Sequence, residues 1–235
     1  MKTLTINLAG PLQAYGNEAS FSRRTSYLAP SKSAVLGMIA AALGYRRDDP
    51  RISQLNKLQM AVRVDQPGRT MTDFQTIEYD SKRQKRSLSY RDYLQDAVFV
   101  VAISGDDRQI DQIQDALHHP KFQLYLGRRS NAPAGPLKTK VFPDEEPVEV
   151  LKKYEWQASK WYQQRQKQAT YSVKILADAN LIPSGRINTF VKDNVGSFNQ
   201  DHRWHSYRAT KSIHVPLTNK YFKELDTEHD IMANI

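Results

Sequence analysis

The chain contains no cysteine. Disulfides and thiolate metal sites are excluded at once. No apolar run approaches the length of a membrane span. The opening residues, Met1-Lys2-Thr3-Leu4, lack the apolar region of a signal peptide. A soluble, cytoplasmic protein without a membrane partner is the expectation. There is no repeat at solenoid period and no long low-complexity segment. Six histidines are present (His118, His119, His202, His205, His214 and His229), but in no HxH or HExxH pattern and beside no carboxylate cluster. No metal and no cofactor is expected.

What the chain does have is positive charge. Its 34 Lys+Arg exceed 25 Asp+Glu, giving a net charge of +9 over 235 residues. That balance favours an anionic partner, nucleic acid ahead of a membrane surface. Hydrophobic residues make up 40%, enough for one large domain or for one domain with an appendage.

The clearest local element is Pro30 to Gly44. Ser31 is a natural N-cap, Gly44 suits a left-handed C-cap, and nearly every residue between is apolar or small. Such a helix is buried on more than one side. Its mouth carries Ser31, Lys32 and Ser33, with Arg23-Arg24 just upstream. Free amides and a positive dipole end there suit a phosphate; a core helix with a solvated end is the other reading.

Around this helix the alternation predicts strands at 3–8, 58–64 and 122–126, and a central strand, apolar on both faces, at 97–103. A second helix is predicted from a cap at Asp106 or Asp107 to a stop at Pro120. The order βαββαβ is that of an α+β, ferredoxin-like or RNA-recognition-motif-like palm. Residues 71–96 fall between its second and third strands and would project as a hairpin. Further on, 146–150 and 170–177 look extended, 152–168 reads as helix or loop, 191–200 has loop composition, and 202–215 partly alternates as a strand. The expected division is a palm over 1–136, interrupted by the hairpin, and a small, mostly β extension over 137–235 packing on it.

Several stretches suit nucleic acid. The hairpin carries Lys82, Arg83, Lys85, Arg86 and Arg91 with Tyr90, and no acid from Lys82 to Arg91. Such a tip can neutralise phosphates and stack bases, or be a solvated loop. Gly127 permits a tight bend after which Arg128 and Arg129 can fork onto phosphate, or pair with the acidic run Asp144-Glu145-Glu146. The stretch Gly10 to Gly16 brackets Gln13 and Tyr15 with glycines; it can pinch a base or be only a turn. Paired aromatics on the first and third strands, which stack bases in RNA-recognition motifs, are missing, so loops and helix ends would hold RNA. His202 and His205, among Arg203, Tyr207, Arg208 and Lys211, are phosphate contacts, structural residues or the makings of a metal-independent ribonuclease.

These segments, in this order, resemble the Cas-five family of type I-E CRISPR Cascade subunits. The resemblance rests on Leu8 to Gly16, Thr25, Pro30-Ser31-Lys32-Ser33, Leu36-Gly37, Ala42-Leu43-Gly44, Arg47-Asp48-Asp49, Val62 to Asp65, Asp73 to Thr76, Tyr90 to Phe99 and Tyr125 to Ser130. It is dense to about residue 136 and continues thinly through His202-Arg203-Trp204 and Tyr207-Arg208. Tyr15 stands where tryptophan is common, Asn131 where cysteine is usual, and Phe74-Gln75 where Tyr-His is frequent.

The resemblance implies a non-catalytic CRISPR RNA-binding subunit of an antiviral ribonucleoprotein, capping the Cascade backbone and hooking the RNA 5′ handle. Its hairpin would be a thumb beside the first guide–target pairs, near target DNA. Its protein partners would be the CasC backbone subunit and the large CasA subunit. Handle phosphates would be held by Arg23, Arg24, Ser31, Lys32, Ser33, Arg128 and Arg129. Bases would meet Gln13, Tyr15 and Asn131, with C-terminal RNA contacts at His202, Arg203 and Arg208. Relatives in the I-C system cut RNA, which keeps an endoribonuclease as the alternative; a protein–protein scaffold is the second alternative.

Overall fold

The computed structural model describes residues 1–16, 22–80, 85–183 and 189–223. The elements in chain order are β1 (Lys2–Ala9), α1 (Lys32–Leu43), β2 (Gln59–Gln66), β3 (Arg69–Asp80), β4 (Lys85–Gln95), β5 (Val98–Gly105) and α2 (Asp107–His118). They continue with β6 (Thr139–Pro143), α3 (Pro147–Lys153), α4 (Lys160–Arg165), β7 (Thr170–Asp178), β8 (Thr189–Ser197) and β9 (Trp204–Thr218). No helix among the described residues is long and apolar enough to cross a membrane.

The fold is α+β and mostly antiparallel. Seven strands form one sheet in the order β6-β1-β5-β2-β7-β9-β8. Every neighbouring pair in it is antiparallel. As its apolar run predicts, β5 lies inside the sheet between β1 and β2. Phe99, Val101 and Ile103 enter the core under α1 and α2, while Val100 and Ala102 enter a second core under α3 and Trp156. The two faces follow from the period of two along a strand.

The helix signals hold. The Ser31 hydroxyl accepts from the Ala34 amide, and Gly44 takes the left-handed conformation at φ 80°. Asp106 caps α2 by accepting from the Arg108 and Gln109 amides, and that helix ends at His118, short of Pro120.

Three expectations fail. Residues 122–126 form no strand. Their alternation arises because Leu124 and Leu126 enter the core from an extended loop. The preceding amides, of Lys121 and Phe122, bond to the last carbonyls of α1, so no ladder forms there. The sheet edge beside β1 is instead β6, with Leu4 opposite Val141. Residues 146–150 are not extended: Pro147 starts α3, whose buried face is Pro147, Val148, Val150 and Leu151. Residues 191–197 are strand rather than loop, because β8 is a polar edge strand held by β9.

The C-terminal strands extend the same sheet, β7 pairing with β2. At that seam the buried Arg63 binds Asp65, 2.6 Å away, and donates to carbonyls at the end of α3. One buried cation thereby satisfies several helix-end acceptors.

Candidate nucleic-acid interface

β3 and β4 pair as a long antiparallel ladder, with Phe74 opposite Tyr90 and Glu78 opposite Arg86. At its base the two-residue strand Arg23–Arg24 lies parallel to β4, Arg23 beside Tyr90 and Arg24 beside Arg91. Residues 60 or more positions apart in sequence thus meet. Alternation along β4 puts Arg91 and Tyr93 on one face.

The loop after Leu126 adds a third arginine. Gly127 has φ 87°, and a Cβ there would lie 1.6 Å from the Ala14 carbonyl oxygen. Only glycine lets this loop pass so close. Leu126 and Asn131 close the turn: the Leu126 amide donates to the Asn131 carbonyl at 2.7 Å, and the Asn131 side-chain amide donates back to Leu126 at 3.3 Å. Arg128 then lies over Tyr93, 4.4 Å from the ring centroid, and donates to the Arg24 carbonyl at 3.1 Å. Arg129 is exposed beside it. The acidic run is engaged elsewhere, Asp144 with the N-terminal amine and Glu145 with Lys153.

Arg91 Nε and Arg128 Nη1 are buried donors without a partner among the described residues. A buried cationic donor left unmatched costs free energy. Arg24 is exposed in the same group; Asp73 stands opposite Arg91 across the hairpin, and Asp92 lies 4.0 Å from Arg23. Stacking on Tyr93 holds the Arg128 guanidinium in place within this cluster of cations.

The mouth of α1 is different. Asp193 of β8 accepts from the Lys32 amide at 2.7 Å, so the protein's own carboxylate fills the helix end. Lys32 is buried, with its Nζ 3.2 Å from Asp178. Burial pushes the Lys32 ammonium below its ordinary value, and Asp178 opposes the shift. Arg208 joins this group, with Nε 2.9 Å from Asp193 and Nη1 on Asp178. Burial works against the charge of Arg208, but the bonds and charges of Asp193 and Asp178 outweigh it and raise its value. Lys32 and Arg208 therefore serve the interior rather than an external phosphate. Ser31 caps its helix and Ser33 lies 3.3 Å from it.

Gln13 and Tyr15 are tied to each other and to the backbone. The Tyr15 hydroxyl donates to Gln13 at 2.6 Å, and Gln13 donates to the Ala97 carbonyl at 2.7 Å. Both are buried, and burial holds the Tyr15 phenol above its ordinary value. Asn131 is likewise buried, as the clasp of the arginine loop. These polar groups are consumed by one another and by the backbone.

Lys85, Arg86 and Tyr90 are exposed on the hairpin; Lys82 and Arg83 lie outside the described residues. His202 and Arg203 are exposed before β9. His205 packs on Phe198 with ring centroids 5.9 Å apart. The sequence reading has Tyr93, with Tyr90, as a tyrosine at the hairpin base able to stack a base, and does not foresee it as the seat of Arg128. It passes over the exposed Leu88, whose alternation with Tyr90 along β4 was the available signal.

The family model described as CRISPR-associated protein (Cas_Cas5) matches residues 3–214. The chain is 30% identical over 171 residues, 65% of its own length and 76% of the other's, to the CRISPR system Cascade subunit CasD of Escherichia coli (strain K12). A chain of a solved CRISPR RNA-guided surveillance complex superposes with TM-score 0.75 at 29% identity, covering 94% of this chain and 93% of that one. A crystal structure of a Cas protein gives TM-score 0.65 at 28% identity, covering 94% and 98%.

Proposed function

This chain belongs to the Cas5 family of CRISPR-associated proteins, and from that membership we propose that it is a non-catalytic RNA-binding subunit of a type I-E Cascade surveillance complex. It holds the 5′ handle of the CRISPR RNA. The observation that carries the reading is the pair of unmatched guanidinium donors, on Arg91 and Arg128, gathered with Arg24 at the hairpin base. A handle phosphate supplies the missing acceptors. Arg23 and Arg129 flank the site, and Arg86, Lys85 and Tyr90 extend it along the hairpin.

In this reading residues 1–136 are a ferredoxin-like, RNA-recognition-motif-like palm. The order β1-β5-β2, antiparallel with α1 and α2 on one face, supports it, the edge beside β1 being completed by β6 from the segment that follows. Residues 71–96 are the thumb, whose exposed Phe74, Leu88 and Tyr90 suit insertion beside the first guide–target pairs, near target DNA. Residues 137–235 are the extension that lengthens the palm's sheet. CasC and CasA subunits are the protein partners.

The test is a salt titration of binding to a repeat-derived 5′ handle RNA. Each phosphate neutralised on a single strand contributes about −0.7 to the log–log slope. Arg128→Ala and Arg24→Ala should each weaken binding and flatten that slope by about one such step. A salt-independent affinity, or unchanged affinity in both variants, overturns the reading. Site-specific cleavage of the RNA in EDTA would overturn the non-catalytic part.

A further inference from the structure

The last two strands of the sheet present a second surface, away from the arginine cluster in sequence and built differently. Along β8 Asp193 and Val195 are buried, whereas Phe190 and Lys192 are exposed, and the pairing with β9 is irregular at 192–194 and again at 195–197. Phe190 is 63% exposed, and on β9 Tyr207 is 60% and Trp204 58% exposed. Tyr207 stands opposite Lys192, whose ammonium is 5.7 Å from the tyrosine ring centroid. Asn194 is tied across the strands to Ser206 at 2.9 Å.

Trp204 is the most specific feature. A Cβ on Gly196 would fall 2.3 Å from both Cδ2 and Cε2 of the indole, the two atoms of its ring fusion. The indole therefore lies flat on the strand, in space that only glycine leaves open, with more than half of its surface in water. A planar ring held by one face and bare on the other is a stacking platform. Among the described residues, Lys192 stands opposite Tyr207 and Arg203 directly precedes Trp204 in the chain, against Asp201 three residues before it. Lys211, on the next stretch of β9, is engaged by the Ile182 carbonyl. Positive charge therefore prevails at a row of exposed aromatics, which is the composition that holds the bases and phosphates of a single strand.

We propose that the outer face of β8 and β9 is a second binding site for single-stranded nucleic acid, on which a base stacks against Trp204 and a neighbouring one against Tyr207, with Lys192 and Arg203 on the phosphates. It goes beyond the handle site, because it uses none of the same residues.

The chain has three tryptophans. Trp156 is buried, and Trp161 is the other exposed one. Full-length protein carrying Trp161→Phe leaves Trp204 as the exposed reporter of its own fluorescence. Single-stranded RNA and single-stranded DNA oligonucleotides of mixed sequence are titrated in separate arms, beside an abasic strand of equal charge. With either normal strand, quenching of Trp204 is expected, with the abasic strand none. The RNA arm identifies the guide class and the DNA arm the displaced-strand class as the natural ligand. Tyr207→Ala should weaken the quenching complex about tenfold, the size of a lost base–aromatic stack, and Lys192→Ala should reduce its salt dependence. In an Arg24→Glu, Arg128→Glu background the quenching should persist while handle affinity is lost, which separates this site from the first. Equal quenching by the abasic strand, no quenching in both arms, or an unchanged affinity in Tyr207→Ala overturns the proposal. So does protection of Trp204 by a protein partner alone, with oligonucleotide binding unaffected.

Discussion

The Asp193 carboxylate sits on the backbone amide of Lys32, 2.7 Å away, at the opening of α1. A strand late in the chain thereby supplies the anion that the first turn of an early helix requires. The same carboxylate also takes the guanidinium of Arg208 at 2.7 Å. The helix mouth is thus satisfied from within, and the unmatched guanidinium donors lie instead on Arg91 and Arg128, near Arg24.

Removal of Asp193 should therefore be costly to the fold. Asp193→Ala strands Arg208 and the helix amide in a buried setting, where breaking one partner of an ion pair costs about 3–5 kcal/mol. Urea denaturation should show a lower midpoint of that order, and Asp193→Asn should fall between the variant and the parent.

A charge reversal at Lys32 should unfold the protein rather than selectively release RNA. Lys32→Glu would place a carboxylate beside Asp178, which already accepts from the Met60 amide at 2.9 Å. Circular dichroism should report the loss of structure, whereas Arg24→Glu should keep the fold and lose RNA.

Tyr15→Phe tests whether Gln13 and Tyr15 are structural. It leaves the buried Gln13 oxygen without its donor, at a cost of about 1–3 kcal/mol. RNA affinity of the folded variant should match the parent; a large loss of affinity at unchanged stability would restore a base-contact role.

Gly127→Ala should act on the arginine loop. The added Cβ meets the Ala14 carbonyl at 1.6 Å, and φ 87° is strained for alanine in addition. Stability should fall, and handle affinity should fall with it as Arg128 leaves Tyr93.

Acid should weaken the fold through His205. Burial, with help from the charge of Arg203, holds its imidazole below the ordinary value of 6.5. The unfolded chain then binds the proton at a higher pH than the folded one. Stability must decline as pH falls through 6.5 toward the lower folded value. His205→Phe, which keeps a ring against Phe198, should flatten this part of a denaturation-versus-pH profile.

Local signals carried much of the sequence reading. Ser31 and Gly44 bound α1 because a cap and a left-handed turn are decided by neighbours in the chain. The two-faced apolar run at 97–103 gave a central strand because such a run has to be covered on both sides. By contrast, Leu124 and Leu126 alternate like a strand while their loop bonds to α1 and Asn131, and period alone does not tell a ladder from a loop packed on a core. Residues 191–197 were misread because an edge strand needs few apolar residues.

The sequence by itself determined the positive balance, the absence of thiol chemistry, the capped helix and the arginine-bearing segments, since these depend on composition and on contacts a few residues apart. Only the tertiary structure decided which cations face outward. Lys32 and Arg208 read like Arg24 and Arg128 in one dimension. Asp178 and Asp193 draw the first pair inward, because a buried cation is stable only beside a carboxylate, and among the described residues no carboxylate comes as close to Arg128, which stacks on Tyr93 with one donor left unmatched.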